Sequence, residues 1–139
     1  VGSLIYGDFG VMVFLASPYI FKVETLDLSE SNLTDRSVIA ISKSMKFTQV
    51  LQLNLSGNRI TDLGASALAN SKYFKQLKQL NLNFNSIGDL GASSIADSPY
   101  LTNLESLKLG QNRVSKAGAK ALKNSNTLTN LVHPIFGFY

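Results

Sequence analysis

The chain has 139 residues, 45% of them hydrophobic, which matches one domain with a sizeable apolar core. The absence of cysteine argues against disulfides and thiolate metal sites, and it favours a reducing, cytoplasmic compartment. No apolar run approaches about 18 residues, which argues against a membrane-spanning helix. The net charge of +4 comes from residues 104–130, where five basic residues accompany a single glutamate.

The first predicted element lies in residues 7–21, whose sequence GDFGVMVFLASPYIF is similar to GDLGASSIADSPYLT at residues 88–102. Gly, Asp, Gly, Ser, Pro and Tyr recur at the same six places, displaced by 81 residues. Because 81 is three times 27, we predict a repeat of 27 residues with residues 1–22 as a partial copy. The helical segment at residues 11–16 is apolar on every side, so its outer face is expected to need cover.

Complete copies of the repeat follow without insertion, and each opens with a close variant of the pattern L-x-x-L-x-L-x-x-N. We place the copies at residues 23–49, 50–76, 77–103 and 104–130, with a truncated copy at residues 131–139. Four consecutive copies with a constant period make chance periodicity implausible. The copies therefore predict a single domain that extends over residues 1–139.

Within each copy the sequence predicts a short strand followed by a helix. The alternation of leucines is typical of a strand with one buried face, and the leucines expected to be buried are Leu53, Leu55, Leu80 and Leu82. The residues from Thr61 to Leu68 are typical of a helix that begins at a capping residue. Aspartates at the helix starts should cap the helices and complement their dipoles: Asp35, Asp62 and Asp89.

These patterns resemble the leucine-rich-repeat family, specifically its ribonuclease-inhibitor-like subtype with 27-residue repeats of the bacterial type. The resemblance implies an α/β, right-handed solenoid, a horseshoe segment with a parallel sheet on the concave side and helices on the convex side. In that family the repeated asparagine bonds the backbone of the adjacent coil. Three residues depart from the repeated pattern: Ser31 at the asparagine position, Lys116 at the aspartate position, and Pro134 at a leucine position.

Catalytic and metal-binding patterns are not found in the sequence. The only histidine, His133, lies in the truncated copy beside Pro134, where a terminal position without a catalytic role is the favoured interpretation. The repeated aspartates could in principle attract calcium, but their position at each helix start favours capping. We therefore predict a protein that is not an enzyme and that has no cofactor and no metal site.

The predicted binding surface is the concave face of the sheet, where side chains between the leucines point to solvent. At one repeated position the residue changes from Asp27 in the first copy to Lys108 in the fourth, an arrangement that could orient a dipolar partner. Phe84 is the lone aromatic residue on this surface, and Phe84 and Arg59 are the candidate anchors. The predicted partner-binding residues are Asp27, Glu30, Gln52, Asn54, Arg59, Gln79, Asn81, Phe84, Lys108 and Arg113.

The sequence favours a non-catalytic protein–protein interaction module that binds a protein or peptide on this face. One alternative is a regulatory fragment of a larger protein, such as a GTPase-activator-like or sensor protein. The other is a nucleic-acid binder that uses Lys116, Lys120 and Lys123, which is less favoured because no aromatic residues are interleaved. The apolar ends of the chain further predict either end-to-end self-association or a fragment of a longer repeat array.

Overall fold

The computed structural model describes residues 7–18 and 22–132. After helix α1 (Gly7–Ala16), a strand and a helix alternate along the chain. These elements are β1 (Thr25–Asp27), α2 (Asp35–Ser42), β2 (Gln52–Asn54), α3 (Asp62–Ala69), β3 (Gln79–Asn81), α4 (Asp89–Ala96), β4 (Ser106–Lys108) and α5 (Lys116–Lys123). Short 3-10 helices at Met45–Phe47 and Lys72–Phe74 follow α2 and α3. The predictions for His133, Pro134 and the rest of residues 133–139 lie outside the described residues.

The strands form one four-stranded parallel sheet in the order β1-β2-β3-β4, which confirms the predicted α/β architecture with a parallel sheet. Each strand pairs in register with the equivalent residues of the next repeat, for example Leu26 with Leu53 and Leu53 with Leu80. Parallel strands require a long crossover connection, and here each crossover contains one α-helix. Because the register follows the repeat, equivalent residues form straight rows across the sheet.

The core lies between the sheet and the helices. The leucines predicted to be buried, Leu53, Leu55, Leu80 and Leu82, all have relative exposures of 2% or less. Phe47 and Phe74, which lead back to the next strand, stack with ring centroids 6.3 Å apart. A single repeat cannot bury its own leucines, so stacking of neighbouring repeats supplies the core. Within the described parts of the chain, no helix is long and apolar enough to cross a bilayer.

The repeated aspartates cap helices, as predicted, but they cap the helix of the following repeat. Asp35 Oδ1 accepts hydrogen bonds from the amides of Thr61 (2.8 Å) and Gly64 (3.0 Å) at the start of α3. Asp62 and Asp89 make the same bonds to the starts of α4 and α5. Asp8 also accepts from the Thr34 amide at the start of α2. We call Asp8, Asp35, Asp62 and Asp89 the aspartate ladder.

The glycines near the helix starts make room for this ladder. A Cβ on Gly91 would lie 2.7 Å from Asp62 Oδ1 and 2.7 Å from Ile87 Cγ2. The equivalent positions Gly64 and Gly118 have the same two neighbours, an aspartate of the preceding repeat and a branched residue of their own. Glycine is therefore needed at these positions both for close packing of the helices and to leave room for the carboxylate of the neighbouring repeat.

The repeated asparagines bond the adjacent coil and point in the opposite direction. Asn58 Oδ1 accepts from the amide of Leu33 (2.9 Å), and Asn58 Nδ2 donates to the carbonyl oxygen of Leu28 (2.9 Å), both in the preceding repeat. Asn85 and Asn112 repeat these contacts one and two repeats later, completing an asparagine ladder of Asn58, Asn85 and Asn112. At the first copy Ser31 takes this position, and its hydroxyl donates to the Ser29 carbonyl oxygen within its own turn.

Candidate protein-interaction surface

The in-register sheet arranges its solvent-facing side chains in two straight rows. The first row is Thr25, Gln52, Gln79 and Ser106, and the second is Asp27, Asn54, Asn81 and Lys108. Both rows line one shallow groove of about 270 Å³ above the central leucines. The structure therefore brings together six of the ten predicted site residues, namely Asp27, Gln52, Asn54, Gln79, Asn81 and Lys108.

Local turns orient the second row. Asp27 Oδ1 accepts hydrogen bonds from the Ser29 amide (3.0 Å) and hydroxyl (2.7 Å), and Asn54 Oδ1 accepts the same pair from Ser56. The Ser29 hydroxyl, followed by the Ser29 amide, lowers the pKa of Asp27, so this carboxylate is ionised at neutral pH. Asp27 and Lys108 lie three strand spacings apart, roughly 14 Å. The row thus carries a negative charge at one end and a positive charge at the other.

A second repeated position, just beyond the strands, has left-handed backbone geometry in every repeat. Its φ angles are +50° at Glu30, +67° at Gly57, +56° at Phe84 and +54° at Gln111. The amides of the first three donate to carbonyl oxygens of the following repeat at 2.9–3.0 Å, which holds this geometry in place. Only glycine adopts such angles without steric cost, so three of the four repeats carry a strained residue here.

Glu30, Gly57 and Phe84 lie in neighbouring repeats and line a second depression, which we call the Glu30–Phe84 depression. It has a volume of about 420 Å³ and is also lined by Ser56, Asn81 and Asn83. The Phe84 side chain is 56% exposed. A Cβ on Gly57 would lie 2.8 Å from the Cγ of Glu30, so glycine leaves space between the carboxylate side and the aromatic side. This depression pairs a negative charge with an exposed aromatic ring.

Family models match several parts of the chain. A model of two leucine-rich repeats matches residues 48–97, and a single leucine-rich-repeat model matches residues 20–42 and 100–123. These matches together cover more than half of the chain. The chain belongs to the leucine-rich-repeat family.

The fold is shared with a solved leucine-rich-repeat structure. Leiomodin-1 actin-binding site 2 matches with a TM-score of 0.60 and 23% sequence identity, over 83% of this chain and 70% of that chain. At this identity the similarity shows the fold alone. No curated protein sequence gives a significant match.

The remaining predicted site residues of this leucine-rich-repeat protein, Arg59 and Arg113, lie outside both depressions. Both are exposed, on the turns that lead from the strands to the helices. Their backbone amides donate to the carbonyl oxygens of Leu33 and Ile87 in the preceding repeat. Their contribution to binding stays a prediction. The lysines of the alternative basic face are exposed on α5: Lys116, Lys120 and Lys123.

The sequence analysis did not identify a second basic region, which lies in the connections between the end of each helix and the next strand. The returns at residues 43–51 and 70–78 contain five lysines and no acidic residue. Counting charge along the chain hid this region, because acidic residues elsewhere in the same repeats cancel it. Counting charge at equivalent positions of successive leucine-rich repeats would have found it.

Proposed function

We propose that this leucine-rich-repeat protein is a non-catalytic interaction module that binds a protein or peptide on the solvent-facing side of its sheet. Stacked repeats of this kind generally offer extended concave surfaces to protein partners. The groove supplies hydrogen-bonding side chains, while Asp27 and Lys108 fix the orientation of the partner. The Glu30–Phe84 depression supplies the anchor.

The observation that carries this proposal is an exposed aromatic side chain, that of Phe84, at a left-handed position where the preceding repeat has glycine. A non-glycine residue held in the left-handed region costs on the order of 1–3 kcal/mol, and such outliers cluster at ligand-binding sites. The equivalent residue of the preceding repeat is Gly57, so the fold accepts the unstrained alternative at this position. An exposed phenylalanine at a strained position contributes little to the core, whereas a buried aromatic contact with a partner would compensate the strain.

The chemistry of the depression favours a basic side chain of the partner as the inserted group. The stem of an arginine or lysine would pack on the Phe84 ring, and its charge would lie near the Glu30 carboxylate. Cations are attracted to aromatic faces and to carboxylates alike. We therefore expect partner peptides to place arginine or lysine at the anchor position.

The test uses peptides selected from a randomised display library on the unmodified protein, with binding then measured by calorimetry. Phe84→Gly removes the ring and relieves the backbone strain, so we expect stability to be retained while affinity falls at least about tenfold. Gln111→Gly is the matched control, since Gln111 has the same left-handed geometry one repeat further along. It should leave affinity within about twofold.

Two results would contradict the proposal. One is a selected peptide whose affinity is unchanged by Phe84→Gly and by Glu30→Gln. The other is a loss of binding from the convex change Lys120→Ala/Lys123→Ala with Phe84→Gly silent, which would favour the basic face of α5 instead. Hydrogen-exchange protection along β1–β4 on peptide binding would support the sheet as the docking site.

Finer assignments follow from this proposal. The 27-residue period supports the ribonuclease-inhibitor-like, bacterial-type subtype, and the interaction role is compatible with a GTPase-activator-like or sensor protein of greater length. The leiomodin-1 structure is described as an actin-binding site, but 23% identity supports only a shared fold, so we name no partner.

Exposed Phe9 and Val13 on α1 support the proposed end-to-end association, which sedimentation would measure.

A further inference from the structure

The basic region at the returns from helix to strand forms a defined surface, the lysine–tyrosine edge: Lys43, Lys72, Tyr73, Lys75 and Tyr100. The Lys72 Nζ lies 5.4 Å from the centroid of the Tyr73 ring, and the Lys75 Nζ lies 5.9 Å from that of Tyr100. Lys43, Lys72 and both tyrosines line an open depression of about 290 Å³, whose other lining residues are Ser42, Asn70 and Ser71. Two lysines and two tyrosines therefore line one depression, and Lys75 lies beside it over the Tyr100 ring.

The charge of this edge is not required to cap the helices beside it. Lysines near a helix C-terminus often interact with its last carbonyl groups. Here the last carbonyl oxygens of α2 and α3, those of Ser42 and Ala69, accept from the hydroxyls of Ser71 (2.6 Å) and Ser98 (2.5 Å). Lys46, by contrast, donates to the Ser17 carbonyl oxygen, so we do not include it in the edge.

The edge has clear limits. In the next repeat the equivalent connection contains the acidic residues Asp97 and Glu105, and Glu105 occupies the repeat position that Lys78 has in the preceding copy. The positive field therefore covers only two neighbouring repeats, a width of roughly 10 Å. A surface of this width suits a short ligand segment with two or three negative charges.

We propose that the lysine–tyrosine edge binds a short acidic segment of a partner protein, independently of the concave face. Carboxylates of such a segment would pair with Lys43, Lys72 and Lys75, and the tyrosine hydroxyls would donate further hydrogen bonds. Single-stranded nucleic acid fits less well. Its binding sites stack bases on exposed aromatic faces along a longer basic track, whereas Tyr73 and Tyr100 are half-buried with a lysine against each ring.

The probe is a fluorescein-labelled hexaglutamate peptide, with binding to the full chain followed by fluorescence anisotropy at low and moderate salt. The test variant is Lys43→Gln/Lys72→Gln/Lys75→Gln, and the matched control is Lys116→Gln/Lys120→Gln/Lys123→Gln on α5. All six lysines are exposed, and both variants lower the net charge by the same amount. We expect the edge variant to weaken binding at least about tenfold and the control to change it less than about twofold.

Several outcomes decide the matter. An equal loss in both variants would show that only net charge is sensed, and it would overturn the proposal. Absence of measurable binding by the unmodified protein, or tighter binding of a labelled oligothymidylate than of the peptide at equal salt, would do the same. Thermal melts of both variants establish that they are folded. Phe84→Gly should leave peptide binding at the edge unchanged, which separates this site from the concave one.

Discussion

The aspartate ladder and the asparagine ladder join the same repeats from opposite directions. Asp35 reaches forward to the start of α3, whereas Asn58 reaches back to the amide of Leu33. One ladder uses carboxylates at the partly exposed starts of helices, and the other uses primary amides in the buried turn after each strand. Each junction between two complete repeats is therefore bridged by two side chains, an aspartate from the preceding repeat and an asparagine from the following repeat.

The difference between the ladders reflects where each lies. A carboxylate is favoured at a helix start, since it accepts from free amides and interacts well with the helix dipole. In the buried turn a primary amide is better, because it both donates and accepts and carries no charge to be desolvated. Two of the three departures from the repeated pattern interrupt the ladders. Ser31 replaces the asparagine of the first complete repeat, and Lys116 replaces the aspartate of the last complete repeat.

The largest expected effect comes from breaking the buried ladder. Asn85→Ala removes the acceptor of the Ile60 amide (3.0 Å) and the donor to the carbonyl oxygens of Leu55 and Leu82 (3.0 and 3.1 Å). The Ile60 amide is then buried without its partner, which costs about 1–3 kcal/mol. The Leu55 and Leu82 carbonyl oxygens each lose one bond but still accept from Asn58 Nδ2 and Asn112 Nδ2. Because a lost hydrogen bond costs about 1 kcal/mol, we expect a total loss of about 3 kcal/mol in the free energy of unfolding, measured with urea.

The control for that change is Asn103→Ala. Asn103 donates to the Lys75 carbonyl oxygen between the same kind of neighbouring repeats, but at an exposed position. It should change the free energy of unfolding by less than about 0.5 kcal/mol. Equal losses in the two variants would mean that burial does not distinguish the ladder from ordinary surface bonds.

A smaller effect is expected from crowding the carboxylate ladder. Gly91→Ala places a Cβ within 2.7 Å of Asp62 Oδ1 and of Ile87 Cγ2, so we expect a loss of about 2 kcal/mol even though alanine favours helices. In Gly88→Ala the added Cβ meets Asp62 only at 3.5 Å, and φ is −108°, so this control should be close to neutral. Stabilisation by Gly91→Ala would contradict the close approach seen here.

The smallest expected effect is a pH dependence of stability, which the aspartate ladder should show and the asparagine ladder should not. The Ser115 hydroxyl and amide lower the pKa of Asp89, while burial raises the pKa of Asp8 but is outweighed by hydrogen bonds from Ser37 and Thr34. With a folded pKa below the unfolded value, this stabilisation is present above about pH 4 and is lost as pH falls through the folded pKa. The melting temperature should therefore decline below about pH 4.

The double change Asp8→Asn/Asp89→Asn should flatten this decline, whereas Glu24→Gln/Glu105→Gln, which alters two exposed carboxylates, should not. Asn85→Ala should lower the melting temperature by a similar amount at every pH, since the amide does not titrate. An unchanged acid decline in the aspartate double variant would indicate that the forward ladder contributes no pH-dependent stability.

The sequence predicted the elements that depend on local pattern. Alternating leucines located the strands and the buried Leu53 and Leu80, and capping residues located α3. The forward reach of Asp35 could not be read locally, because its donors belong to a helix in the next repeat. Comparison across copies would have revealed the left-handed position, since Gly57 marks the backbone geometry that Phe84 must also adopt.

The opposed directions of the two ladders have a consequence for how such an array changes length. Suppose that residues 50–76 were deleted, as in a recombination between neighbouring copies. Asp35 would then accept from the amides of Gly88 and Gly91, and Asn85 would accept from the amide of Leu33. The new junction would again be bridged by one aspartate and one asparagine. Each complete repeat but the last carries an aspartate for the next repeat, and each but the first carries an asparagine for the preceding one, so a gene can gain or lose one repeat while these contacts are kept. The length of the sheet can therefore change during evolution in steps of one repeat.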